Sequence, residues 1–383
     1  MAERDTWMHL RRSRAESFDD AFYHGLIEEV HKAIGAEATQ EQVRDLAVAV
    51  TGPMIDTMAS RLVARLMKLQ PRMIRTHRRY TRGFERRLRR YWGDALDRFY
   101  AILICAHEMG SDFNDSHRQA AVDTNDLVFE ALSGLHARAC RTASEVHHLL
   151  SSGFPMGALA RCRTLHELTV TAGVISEYGR KPEYSDLAER YLLHDAVLNW
   201  KDAIDYQEHC EALGCEPFTD AEIDEMKATR DAVVGRFGTP FGEANGWASK
   251  LATKRRVDFR DLEKLADLSH LRGYYKWASH EVHADSKGWR LNRAERGKIE
   301  YMSSGHVNFG FSEPGQLALN SLVLCTDLFL MCTSPVTPEI VVSMQAIQGL
   351  LENAANSFAH AEQMVDEAEE KFQRRVKPSK ASN

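Results

Sequence analysis

Several common functional signatures are missing from this chain. Its seven cysteines, at 105, 140, 162, 210, 215, 325 and 332, are scattered and never spaced C-x-x-C. That spacing indicates neither a disulfide framework nor a zinc cluster and reads as reduced, mostly buried small apolar residues. No G-x-x-x-x-G-K-[ST], G-x-G-x-x-G or G-x-S-x-G occurs, which disfavours P-loop, dinucleotide-binding and α/β-hydrolase chemistry. No apolar run reaches the roughly 18 residues of a membrane span, and MAERDTWMHLRRSR lacks the apolar core of a signal peptide. The expectation is a cytoplasmic protein. Alternating strand patterns never exceed a few residues, no internal repeat is visible, and only 10 of 383 residues are proline.

What is present is helical periodicity. The expected fold class is all-α, a multi-helix bundle with long helices and an N-terminal helical extension. Phe18, Phe22, Leu26, Val30 and Ile34 mark a first amphipathic helix, and Thr39 with Gln42 resembles a capping box opening a second. A third carries Ile55, Met58, Leu62, Leu66 and Leu69 and is expected to stop before Pro71. His77, Tyr80, Phe84, Leu88, Tyr91, Ala95, Phe99, Ile102 and Ala106 predict one long helix from Met73 to about Met109. Further helices are expected over 120–150, 156–178, 184–213, from Thr219, over 261–283, over 316–332, and after Pro338 to about Phe372. Gly235 to Gly246 reads as a loop, 284–314 as irregular, and the last ten residues as a disordered tail. The expected organisation is an extension over 1–90, a helical core domain over 91–345, and a C-terminal helix with its tail over 346–383.

The net charge of -6 hides an uneven distribution. Between Arg61 and Arg90 stand eleven arginines and one lysine against a single acid, Glu85. Arg72, Arg75, Arg78, Arg79, Arg82 and Arg86 are the candidate phosphate-binding residues of this run, although a long basic helix is more often simply a solvated face.

The segment 153–176, GFPMGALARCRTLHELTVTAGVIS, is apolar or small apart from Arg161, Arg163, His166 and Glu167. A helix of that kind belongs inside a bundle, where charges need partners. Arg163 and Glu167 share a face, with base before acid, the weaker order for a local pair. A second stripe, Tyr275, Ser279 and His283, is spaced four apart and flanked by Leu271, Tyr274, Ala278 and Val282. Meeting of the two stripes would let a carboxylate orient an imidazole beside a fixed guanidinium. The plain alternatives are a buried ion-pair lock and, for His283, a cation near a helix C-terminus.

These motifs, Arg163-Thr-Leu-His-Glu167 and Tyr275-Lys-Trp-Ala-Ser279-His-Glu-Val-His283, resemble the R-x-x-x-E and Y-x-x-x-S-x-x-x-H helices of the bacterial domain-of-unknown-function family numbered 5677. The resemblance covers roughly 91–342. It implies an all-α fold and points to Arg163, Glu167, Tyr275, Ser279 and His283, without an activity to carry over.

Arg161 to His166 also fits the R-x(4 to 6)-H spacing of helical HEPN-type ribonucleases. Arg72 to His77 and Arg141 to His147 or His148 match as well, close to what chance supplies. Metal binding by His280, His283 and Asp285, or by Glu28-x-x-His31 with Glu145-x-x-His148, is the weaker reading, and no cofactor is expected. The sequence therefore points to RNA or another phosphate-bearing ligand as partner, with a homo-oligomer allowed and no membrane. The activity expected is metal-independent ribonuclease action of a toxin or phage-defence kind. Its catalytic set would be drawn from Arg163, Glu167, His283, Tyr275, Ser279, Arg161 and His166. The rival is a scaffold or sensor in which the cluster is a lock and the basic helix recruits a partner.

Overall fold

A computed structural model describes residues 40–252, 256–284, 286–291, 293–296 and 299–376, together with the isolated helical positions His24, Glu28 and Lys32. The predicted first helix and the C-terminal tail beyond 376 lie outside these residues, apart from those three positions. Contacts divide the chain into two units, 1–84 and 85–383.

The fold is all-α. Its helices are α1 (Gln40–Thr124), α2 (Leu127–Ser151), α3 (Pro155–Tyr178), α4 (Leu187–Leu193), α5 (Asp195–His209), α6 (Asp220–Phe237), α7 (Phe259–Leu265), α8 (Arg272–His280) and α9 (Ser286–Leu291). A small antiparallel hairpin of β1 (Arg293–Arg296) and β2 (Ile299–Met302) follows, then α10 (Ser312–Leu330) and α11 (Pro338–Val376). The hairpin and α9 fall in the segment expected to be irregular.

Three expected helices are one. α1 passes through Pro53 and Pro71 and continues past Met109. Each proline removes one N–H and crowds the carbonyl four residues back, a cost of about 3 kcal/mol, and the helix-favouring runs around them carry the helix through. Gly110 is a contact rather than a stop: a Cβ there would lie 2.1 Å from the His136 ring, so glycine is what lets α1 approach α2. The stop comes at Asn125, in the left-handed region at φ 51. Asp126 N–H donates to Ala121 O and Asn125 N–H to Val122 O, the paired bonds of a Schellman motif. Asp126 then caps α2 by accepting from Phe129 N.

The second unit is built on α2, α3 and α10, with α11 against α10 and α8 against α3. Phe99, Phe129, Leu132, Leu165, Val170, Leu319, Leu322 and Phe358 are sealed between these helices, each contributing about 1.5–3 kcal/mol of apolar burial. Trp92 stacks on Phe311 with ring centres 4.7 Å apart and donates its indole N–H to Asn308 O at 2.9 Å. The remaining expectations from 120 onward hold in outline. His194 divides the predicted 184–213 helix into α4 and α5, and the predicted loop over 235–246 is partly 3-10 helix.

The described part of the first unit is α1 up to Phe84 and the three isolated positions His24, Glu28 and Lys32. Arg72, Arg75, Arg78, Arg79 and Arg82 are all exposed, and at about 100° per residue they fall within roughly 120° of arc. Arg86, in the second unit, is exposed as well. Among the described residues one window, within Arg44–Thr124, is apolar enough by length and composition to cross a membrane, with mean hydropathy 1.2 and none of it buried. The window qualifies on average hydropathy and low charge count and is not an unbroken apolar run.

Candidate functional site

α3 carries the site because nearly every side of it is inside. Ala158, Leu159, Cys162, Leu165, Leu168, Val170, Ala172, Val174 and Ile175 are buried around its circumference. It starts sharply: Gly153, at φ 85, closes a Schellman turn on α2, and Pro155 occupies the first turn of α3, where its missing N–H costs nothing. Arg163 and Glu167 of α3 form one cluster with α8, and His166 forms a second with Glu263 and Arg272.

The first cluster faces α8. Arg163 Nε donates to Glu167 Oε1 at 3.1 Å, and the Tyr275 hydroxyl donates to the same oxygen at 2.9 Å. Arg163 Nη1 donates to His283 Nε2 at 3.1 Å, so that nitrogen carries the lone pair, and the guanidinium lies 5.0 Å from the centre of the Tyr275 ring. Burial and the Glu167 carboxylate push the Tyr275 phenol up to about 12, so it stays a donor. Burial works against the charge of Arg163, and Glu167 and Tyr275 outweigh it and hold its pKa above the ordinary value. Arg163, Glu167 and Tyr275 are half-buried and His283 is exposed, so the cluster is open on one side.

The second cluster is sealed. His166 Nε2 lies 3.1 Å from Glu263 Oε1, and Arg272 Nη1 pairs with the other carboxylate oxygen. Glu263 is 0% exposed and His166 7%. Burial depresses the His166 pKa against the opposing pull of Glu263, which favours a neutral ring. With Nε2–H donated to the carboxylate, Nδ1 holds the lone pair. The His166 ring sits 5.9 Å from Phe259 and 5.7 Å from Tyr275, which brings the two clusters side by side.

The predicted 261–283 helix is in fact α7, a turn of 3-10 helix and α8. Asp267 adopts φ 57, with Leu268 N–H bonded to Glu263 O and Asp267 N–H to Lys264 O, a third Schellman stop. The break is what lets Glu263 and Tyr275 both reach α3.

Arg163, His166 and Tyr275 line one cavity of 290 Å³, whose far wall comes from α10 and α11. Cys162 also lines it, but its thiol is pushed well up by burial and donates to Pro314 O at 3.2 Å, so it is no nucleophile.

Of the expected residues, the structure brings Arg163, Glu167, Tyr275 and His283 together. Ser279 lies in the same stripe, but its hydroxyl donates to Tyr275 O on its own helix at 2.7 Å. Arg161 points to α2, paired with Glu145 at 2.6 Å, so Arg161 and His166 engage different neighbours. Glu167 was expected to orient a histidine, but it holds Arg163 and Tyr275, and Glu263 takes the histidine. Glu263 and Arg272 were missed. The available signal was slight: Glu263 stands four after Phe259 and three before Ala266, on the face those residues turn to α3. Among the described residues no group of three His, Cys, Asp or Glu could hold a metal ion, and Asp285 lies outside them.

Fold and site together define an all-α bundle protein with an arginine- and histidine-lined cavity. Residues 129–298, a little under half of the chain, match the profile of a family of unknown function (DUF5677). This segment includes both clusters and is narrower than the 91–342 expected from the motifs. No curated protein and no solved structure matches the chain.

Proposed function

We propose that the cavity takes a phosphate-bearing ligand and that RNA is the substrate that presents it, with metal-independent cleavage as the reaction. The observation that carries this reading is the shared cavity: a guanidinium from one cluster and a carboxylate-held neutral imidazole from the other line the same space. Arg163 binds the phosphate and stabilises the charge that builds on it, Nδ1 of His166 takes the 2′-hydroxyl proton, and Glu263 fixes the ring. His166, then an imidazolium, gives that proton to the departing 5′-oxygen, so the transfer closes on one ring, and His283 accepts from Arg163 and helps hold the guanidinium. Glu167 and Tyr275 keep the guanidinium in place. The exposed arginines of α1 suit contact with an RNA backbone, and a toxin or phage-defence role is a setting in which such an activity would serve.

The test is incubation of the purified chain with RNA in the presence of a chelator. Wild type should cleave, and Arg163→Ala and His166→Ala should each lose cleavage by at least about a hundredfold. Complete absence of both binding and cleavage by the wild type overturns the reading. The scaffold alternative draws on one observation, the full burial of Glu263 between His166 and Arg272, which fits a packing lock.

A further inference from the structure

The cavity has two walls of opposite character. α3 and α8 present Arg163, His166 and Tyr275, and α10 and α11 present Glu313, Gln316 and Glu362. A phosphate alone would need only the first wall and would be repelled by the second. Two carboxyl groups facing a guanidinium across one small space ask for a ligand with an anion at one end and N–H donors at the other. The carboxyls are close enough to feel each other: burial, with Glu313 and Asp366 nearby, holds Glu362 above the usual carboxylate range. The acidic wall also lies outside residues 129–298, so it is supplied by the part of this chain beyond the family segment.

We propose that Glu362 and Glu313, with Gln316, read the base of the bound nucleotide and select guanine. This rests on the reading of the cavity as a phosphate-ligand site. Guanine alone among the common bases places two adjacent N–H donors, at N1 and N2, where a carboxylate can accept both, and its O6 and N7 suit the Gln316 amide. Adenine turns an acceptor nitrogen toward the same carboxylate. Uracil offers one N–H between two acceptors, and cytosine one amino group beside an acceptor nitrogen.

The experiment is calorimetric titration of the full chain with guanosine, adenosine, cytidine and uridine monophosphates and with inorganic phosphate. Wild type should bind the guanosine nucleotide at least about tenfold more tightly than the others. Glu362→Gln, or Glu313→Gln if that residue makes the closer contact, should flatten the preference while phosphate binding is retained. Thermal unfolding of each variant confirms that it folds. Equal affinity for all four nucleotides, or a preference that survives in both variants, overturns base selection and leaves the phosphate site standing. Failure of wild type to bind any of the five overturns both.

Discussion

The two clusters on α3 are each built on a carboxylate bonded to a guanidinium with a histidine alongside, and they differ in exposure. Glu167 is 37% exposed as a side chain and shares its oxygen between Arg163 and Tyr275, with His283 at the rim. Glu263 is 0% exposed and divides its two oxygens between His166 and Arg272. Water screens the first and not the second. The sealed cluster should therefore carry stability and the open one ligand contact, with His166 belonging to both because it also lines the cavity.

The largest effect should come from breaking the sealed cluster. Glu263→Ala leaves His166 and Arg272 unpaired and should cost about 3–5 kcal/mol in denaturant unfolding. Glu167→Ala should cost about 1 kcal/mol by the same measurement, and the gap between the two variants is the comparison in numerical form.

Overpacking gives an intermediate check away from both clusters. Gly110→Ala drives a methyl into the His136 ring and should destabilise by about 1–3 kcal/mol, measured the same way.

Acid sharpens the comparison. Burial depresses His166 and takes His136 down to about 4. Both groups bind protons more readily when unfolded, so the stability they contribute is present above the unfolded value near 6.5. It is lost as pH falls toward 4, through the folded value of His136. Denaturant melts at a series of pH values between 7 and 4 should show this decline, and Arg163→Ala should leave its shape unchanged. The smallest effect belongs to Ser279→Ala, whose hydroxyl bonds only its own helix among the interactions seen: within about 0.5 kcal/mol and no change in ligand affinity.

The open cluster was legible in the sequence and the sealed one was not, for a physical reason. Arg163 and Glu167 stand out as charges in an apolar helix, and Tyr275, Ser279 and His283 keep a spacing of four, so local periodicity pairs the stripes. Glu263 has no such mark. It becomes a partner of His166 only because Asp267 turns left-handed and breaks the expected helix, an event that glycine usually signals and aspartate does not. The helix ends were misread for the converse reason. Pro71 looks like a stop, yet α1 tolerates it, and just past the end expected near Met109 Gly110 serves the approach to His136. Helix type over α2, α3, α6, α10 and α11 followed directly from apolar period and capping residues, as the Thr219 and Glu222 capping box on α6 illustrates.

The most direct test of the central claim compares wild type with Arg163→Ala in two readouts, binding of guanosine monophosphate by calorimetry and the midpoint of thermal unfolding. The account predicts that binding is lost while the midpoint moves by no more than a few degrees. A variant that binds as wild type does, or one that unfolds as early as Glu263→Ala, would contradict it.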